Sequence, residues 1–243
     1  DEHSDVISRA QSAGVEKMLL IGCDISSSEQ SLALAKSYHL FSTAGIHPHD
    51  AKTATDSLED QLTLLATQPQ VVAIGECGLD YNRDFSPRNV QRSVLRRQLA
   101  LAEKLNLPVY LHERDASDDM INILTEFNVR GVLHCFTGDE NALKSYLALG
   151  LYIGITGWVC DERRGQALQA LAPSIPLNRL LIETDAPFLI PRTVKPKPKS
   201  RRNEPALLTH VCQTLAELYQ IDAKSVAKQT TDNFYAVFGL EAR

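Results

Sequence analysis

The chain has 243 residues, 44% hydrophobic and 23% charged, a composition that excludes disordered, collagen-like and disulfide-scaffold classes. A net charge of -5 excludes a broadly basic protein that coats duplex DNA through counterion release, and leaves room for a locally basic site. No run approaches the roughly 18 apolar residues of a membrane span, and five cysteines without a C-x-x-C pair fit a reduced, cytoplasmic protein better than a disulfide framework.

The chain opens with a helical pattern over 1–13. Short apolar runs follow at 18–21, 41–46, 71–76, 109–112, 132–135, 152–155 and 180–184, each bounded by turn residues. Their nearly continuous apolar character suits parallel strands covered on both faces. The segments between them read as amphipathic helices. Leu58, Leu62 and Leu65 share one face behind Asp56, with Glu59 placed to complete a capping box. Ser86-Pro87 signals the start of a helix that buries Val90, Val94, Leu95, Leu99 and Ala102. A further helix over 139–149 should stop at Gly150, and two more are expected at 205–219 and 222–238. This alternation means an α/β fold with a parallel sheet, either doubly wound or a closed barrel, and the count favours a (β/α)8 TIM-type barrel in one domain over residues 1–243. Seven visible strands behind a leading helix put the first strand of such a barrel before residue 1. The irregular stretch 191–205, rich in Pro, Lys and Arg, reads as a functional loop.

What ends the strands carries the chemistry. Glu76 closes V-V-A-I-G-E, His112 closes V-Y-L-H, His134 closes V-L-H, and Asp185 follows L-L-I-E-T. In a parallel barrel these ends share one rim, so ionisable residues far apart in sequence converge there. Any one of them alone reads as a hydrogen-bonded structural residue, and Asp185 alone as a helix cap. Two imidazoles with two carboxylates are the composition of a divalent metal site. His47 and His49 flank Pro48 on the rim; His47 suits phosphate binding or protonation of a leaving group, while His49 divides evenly between that role and a turn. Arg114 lies two residues beyond His112. Arg163 and Arg164 follow Trp158, and Lys195, Lys197, Lys199, Arg201 and Arg202 sit in the long loop. The lysines read as a solvated face and the arginines as phosphate partners. Tyr81, Phe136 and Trp158 follow strand ends and are placed to stack on bases, with core packing an equal alternative for Phe136. All five cysteines read as buried or idle thiols, and Cys77 and Cys135 should point away from the cavity.

Seven segments together resemble the TatD family of metal-dependent deoxyribonucleases. They are S-T-A-G-I-H-P-H (42–49), V-V-A-I-G-E-C-G-L-D-Y (71–81), L-P-V-Y-L-H-E-R-D-A (107–116), V-L-H-C-F-T-G (132–138), Y-I-G-I-T-G-W-V-C-D-E-R-R-G (152–165), L-L-I-E-T-D-A-P (180–187) and S-R-R-N-E-P (200–205). The resemblance implies that Glu76, His112 and His134 are metal ligands and that Asp185 is a ligand or general base. Many members also carry a His-x-His pair at the end of the first strand; this sequence has none, and His3 in the leading helix does not match it. The implied activity is a 3′-5′ exonuclease on single-stranded DNA and also RNA, serving DNA repair or turnover. Mg²⁺ is the expected ion, with Mn²⁺ or Zn²⁺ accepted by the same donors. A monomer without an obligate protein partner is expected. Two alternatives keep the same barrel: a metal-dependent amide or ester hydrolase such as a deacetylase or aminoacyl-tRNA deacylase, and a catalytically weak nucleic-acid-binding protein.

Overall fold

A computed structural model describes residues 2–196 and 198–241. The elements alternate in chain order: α1 (Glu2–Ser12), β1 (Leu19–Leu20), α2 (Ile25–Tyr38), β2 (Phe41–Ala44), α3 (Leu58–Ala66), β3 (Val71–Asp80), α4 (Arg88–Leu105) and β4 (Val109–Arg114). They continue as α5 (Ser117–Leu124), β5 (Gly131–Leu133), α6 (Glu140–Ala148), β6 (Tyr152–Ile155), α7 (Gln166–Leu171), β7 (Leu180–Ile182), α8 (Leu208–Tyr219) and α9 (Ala223–Phe238). All seven strands pair in parallel and in sequence order, as the α/β reading requires. An eighth strand is not among the described residues. No described helix is long and apolar enough to cross a membrane.

Side-chain contacts show that the sheet curls. In a flat sheet β4 and β7 would lie about 14 Å apart, three strand spacings. Yet the Tyr110 hydroxyl on β4 donates to Glu183, just past β7, at 2.5 Å. On the outside, α1 closes the circle against the segment after β7. Arg9 bonds Glu204 (Nη2–Oε2 2.7 Å), Arg202 bonds Glu2, and Leu208 packs against the cluster that holds Ala10 and Val15.

The helices bury the faces that their periodicity assigns. Leu58, Leu62 and Leu65 of α3 are buried at 1%, 0% and 8% exposure, each contributing about 1.5–3 kcal/mol by removal from water. The expected capping box fails, because Ser57 is the N-cap and makes no side-chain bond. Glu59 instead takes both Arg97 nitrogens at 2.6 and 2.5 Å, and two charge-assisted bonds displace one cap. Pro87 precedes α4, and Val94, Leu95, Leu99 and Ala102 are buried as expected, with Val90 packed at the edge. Asp139 caps α6, whose end passes into Gly150 at φ +79°. Asp222 caps α9. The leading helix is described from Glu2, so Asp1 lies outside the described residues.

Strand lengths depart from expectation in an informative way. β3 runs on to Asp80 and β4 to Arg114, whereas β5 ends one residue before His134 and β7 three residues before Asp185. At the opposite end of the strands, Val72, Tyr110, Val132 and Leu181 pack with Phe234, Val237 and Phe238 of α9 in a separate cluster. That plug leaves the rim at the strand C-termini as the open end.

Candidate metal centre

Glu76 owes its position to a bulge. Pairing runs Gly75 to Tyr110 and then Cys77 to Leu111, so Glu76 is the extra residue of β3, and a bulge re-aims the side chain it carries. Cys77 accordingly faces the main core, as expected. The Glu76 N–H donates to Gly22 O at 2.7 Å, tying the bulge to the end of β1. Glu76 Oε1 lies 3.1 Å from His112 Nδ1 and 3.5 Å from His47 Nε2. His47, Glu76 and His112 form a group whose ligand atoms all lie within 4.8 Å of one another, compact enough to hold a metal ion.

Asp80, not singled out from sequence, completes this half. Its Oδ2 lies 2.7 Å from His49 Nε2 and 3.3 Å from His112 Nε2, while Oδ1 accepts the Asn82 and Arg83 N–H groups at 3.0 and 2.8 Å. Two buried glutamines two helical turns apart on α4 hold the backbone here. Gln98 takes the Ile46 N–H at 2.8 Å and returns an N–H to Ile46 O at 3.0 Å, one residue before His47. Gln91 does the same to Asp80, at 2.8 and 3.1 Å. Gly78 lets β3 and β4 meet, because a Cβ there would lie 1.8 Å from His112 O.

His134 and Asp185 form a second group beside the first, with His134 Nε2 3.3 Å from Asp185 Oδ1. Behind it, His134 Nδ1 donates to Glu183 Oε2 at 2.9 Å, and the Cys135 N–H adds a bond to the same oxygen at 3.0 Å. Glu183 fits because residue 154 on β6 is glycine; a Cβ there would come within 2.2 Å of the carboxylate. A carboxylate that fixes one ring nitrogen and frees the other is the usual support of a metal-ligating imidazole. Asp185 sits at φ +56° on a turn and is one-third accessible. It caps no helix; its carbonyl takes the Phe188 N–H at 2.8 Å.

The electrostatics follow from these pairings. Burial alone would depress His112, but Asp80 and Glu76 more than offset it and raise its pKa to about 9. Burial pulls His134 down as well, and Glu183 and Asp185 hold it well above the ordinary value. Glu76 is pushed up by burial and pulled further down by His112 and His47, with His134 adding to the pull. His49 is lowered, mainly by burial. His47 is distinct in its ring chemistry. Its Nδ1 accepts the His49 N–H at 3.2 Å, so a neutral ring carries its proton on Nε2, the form that donates to an anion.

Of the residues singled out from sequence, the structure therefore joins Glu76 to His112 and His47, joins His134 to Asp185, and brings His49 in through Asp80. Arg114, the last residue of β4, is exposed and lines a rim cavity of about 330 Å³ with Asn82, Asp115, Ser117 and Thr137. Arg202 reaches back to Glu2 on α1, Arg201 is exposed, and Lys197 lies outside the described residues. The aromatic candidates divide, and for Phe136 the core reading holds. The Tyr81 hydroxyl bonds Asp119 and its ring lies under Arg88, Phe136 is in the core, and Trp158 is half-buried. The Cys23 thiol lies 3.8 Å from Glu76 Oε2, and burial pushes its pKa up to about 12, which keeps it protonated, as an idle thiol should be.

Asp80, Glu183, Tyr110 and the two glutamines were missed. Asp80 and Glu183 stand at strand ends like the residues that were chosen, and Tyr110 precedes His112 by two, the period that shares a sheet face. Gln91 and Gln98 are polar residues within the apolar stripe of α4.

A curled parallel sheet with imidazoles and carboxylates gathered at its C-terminal rim defines a hydrolase of the metal-dependent barrel class. The model of the TatD related DNase family matches residues 1–239, and the chain belongs to that family. It is 49% identical to the 3'-5' ssDNA/RNA exonuclease TatD of Enterobacter lignolyticus (strain SCF1), over 98% of this chain and 94% of that protein. It is 50% identical to the protein of the same name from Erwinia tasmaniensis, again over 98% and 94%. Among solved structures it is similar to YJJV, a TatD homologue from Escherichia coli K12, with a TM-score of 0.90 and 29% identity over 99% of this chain and 93% of that one.

Proposed function

We propose that the protein is a divalent-metal-dependent nuclease that removes nucleotides from the 3′ end of single-stranded DNA and RNA. The observation that carries this reading is the pairing of each inner imidazole with its own carboxylate, His112 with Asp80 and His134 with Glu183, around Glu76 and Asp185. Four carboxylates at one mouth repel a phosphodiester unless a cation is bound, so the donor set itself calls for a metal. Glu76, His112, His134 and Asp185 would hold it, and Mg²⁺ is the ion we assign, with Mn²⁺ or Zn²⁺ tolerated by the nitrogen donors. When bound, such an ion supplies Lewis-acid polarisation of a phosphoryl oxygen and lowers the pKa of a neighbouring water.

The chain's own groups do the rest. Asp185, the most accessible of these acids by side chain, takes the proton of the attacking water. His47 Nε2 donates to the phosphate, with His49 beside it, and Arg114 on the rim, with Arg201 and Arg202 farther out, draws the strand in. The similarity to exonucleases that act from the 3′ end supports the polarity.

End-labelled single-stranded and duplex oligonucleotides, incubated with Mg²⁺, Mn²⁺, Zn²⁺ or EDTA, test this. Products laddering from the 3′ end of single strands, lost with EDTA and in Glu76→Ala and His134→Ala, are the expected result. Activity on amide or ester substrates with none on nucleic acid would transfer the site to acyl chemistry.

A further inference from the structure

We infer that Phe85 and Phe188 form a two-sided platform on which unpaired nucleobases of the substrate stack, one on each side of the metal centre; this rests on the nuclease reading above. Of the seven Phe, seven Tyr and one Trp in the chain, only these two are exposed, at 55% and 66%. Isolated exposed apolar residues are ordinary on protein surfaces, but these two share one location. Phe85 lies in the loop after β3 and Phe188 in the loop after β7, both on the rim that carries the site.

A chain of contacts places the cluster between them. The Phe85 ring packs against His49 with centroids 4.8 Å apart, and His49 bonds Asp80, which bonds His112. On the other side His134 meets Asp185, whose carbonyl receives the Phe188 N–H. Neither ring rides on a loose loop. The Phe85 carbonyl takes Lys52 Nζ at 3.0 Å, and the next residue, fully buried Ser86, donates to His49 O at 2.8 Å. The Phe188 carbonyl takes Asn203 Nδ2 at 2.7 Å, and Asn203 also bonds Thr184 O.

A flat apolar ring held rigidly beside a phosphate site matches the face of a base, and every base offers one, so the platform is tolerant of sequence. In a duplex the base faces are covered by their neighbours and the partner strand holds them in place. The platform therefore favours single strands, a selectivity that the metal centre alone does not provide.

The test is kcat/KM on single strands with normal or abasic nucleotides at successive positions from the 3′ end, for wild type and Phe85→Ala, Phe85→Leu, Phe188→Ala and Phe188→Leu. Wild type should lose about tenfold when the stacked base is removed. Each variant should lose a similar factor on the normal strand and be nearly indifferent to an abasic nucleotide at one position, different for the two residues. The ratio between substrates cancels any general change in the centre. Variants that keep the full wild-type abasic penalty at every position would overturn the platform and leave the nuclease standing. Wild type that cleaves neither kind of strand with any metal would remove both.

Discussion

The two halves of the rim are built differently. On the β3–β4 side the polar residues sit on long strands: β3 has ten residues, all buried, and carries Glu76 and Asp80, β4 has six and carries His112, while Gln91 and Gln98 grip the backbone beside Asp80 and His47. On the β5–β7 side the strands are three and four residues long, His134 and Asp185 lie beyond their ends, and Asp185 is one-third accessible on a left-handed turn. The first half is a rigid donor frame. The second keeps an accessible acid at the solvent edge, where the proposed reaction would release its proton.

The sharpest way to break this contrast is Glu76→Ala, because Glu76 alone bridges imidazoles of the first half and interacts electrostatically with His134 of the second. Nuclease activity should fall by roughly a thousandfold or more, in the range seen when an essential group for charge stabilisation is lost, and calorimetry should show weakened metal binding. Glu183→Gln and Asp80→Asn, one in each half, should each cost about 10- to 100-fold in metal affinity or activity, with Tyr110→Phe smaller than Glu183→Gln. An Asp80 variant without effect would confine metal support to the second half.

pH separates metal-free from metal-loaded protein. The pKa of His112 rises from 6.5 to about 9 on folding, so its contribution to stability is full below 6.5 and is lost as pH rises through 9. Thermal melts in EDTA should fall across that window. A ligand imidazole must give up a proton, so metal affinity should rise over the same interval, and melts with excess metal should fall less. A flat EDTA profile would remove His112 from between its two acids. Gln98→Leu leaves both polar groups of the Ile46 peptide unsatisfied and should cost about 1–3 kcal/mol in urea melts. Smallest of all, Arg202→Ala should change KM less than Arg114→Ala, since Arg202 is already engaged by Glu2.

Much of this was legible in the residues. Alternating apolar runs and helical stripes carry the α/β order, because periods of 2 and 3.6 are local properties of a chain. The rule that parallel strands end on one rim was enough to gather Glu76, His112, His134 and Asp185, and the motif resemblance led to the family that the matches establish. The capping box at Asp56 and Glu59 misled, because Arg97 lies 38 residues from Glu59 and only packing of α4 on α3 reveals the competitor. Between the two readings of Phe136 the structure selects core packing, and the Tyr81 ring proposed for stacking lies under Arg88, since residue type and strand position do not report exposure.

The sequence by itself determined which elements form, their parallel order and the kinds of donor on the rim, because each depends on local periodicity and on a topological rule. Only the tertiary structure decided that a bulge turns Glu76 toward His112, that Gly154 on β6 makes room for Glu183 behind His134, and that Phe85 and Phe188 stay in water. Those facts depend on which atoms of distant segments fill which space, and close packing settles that only when the whole sheet has curled.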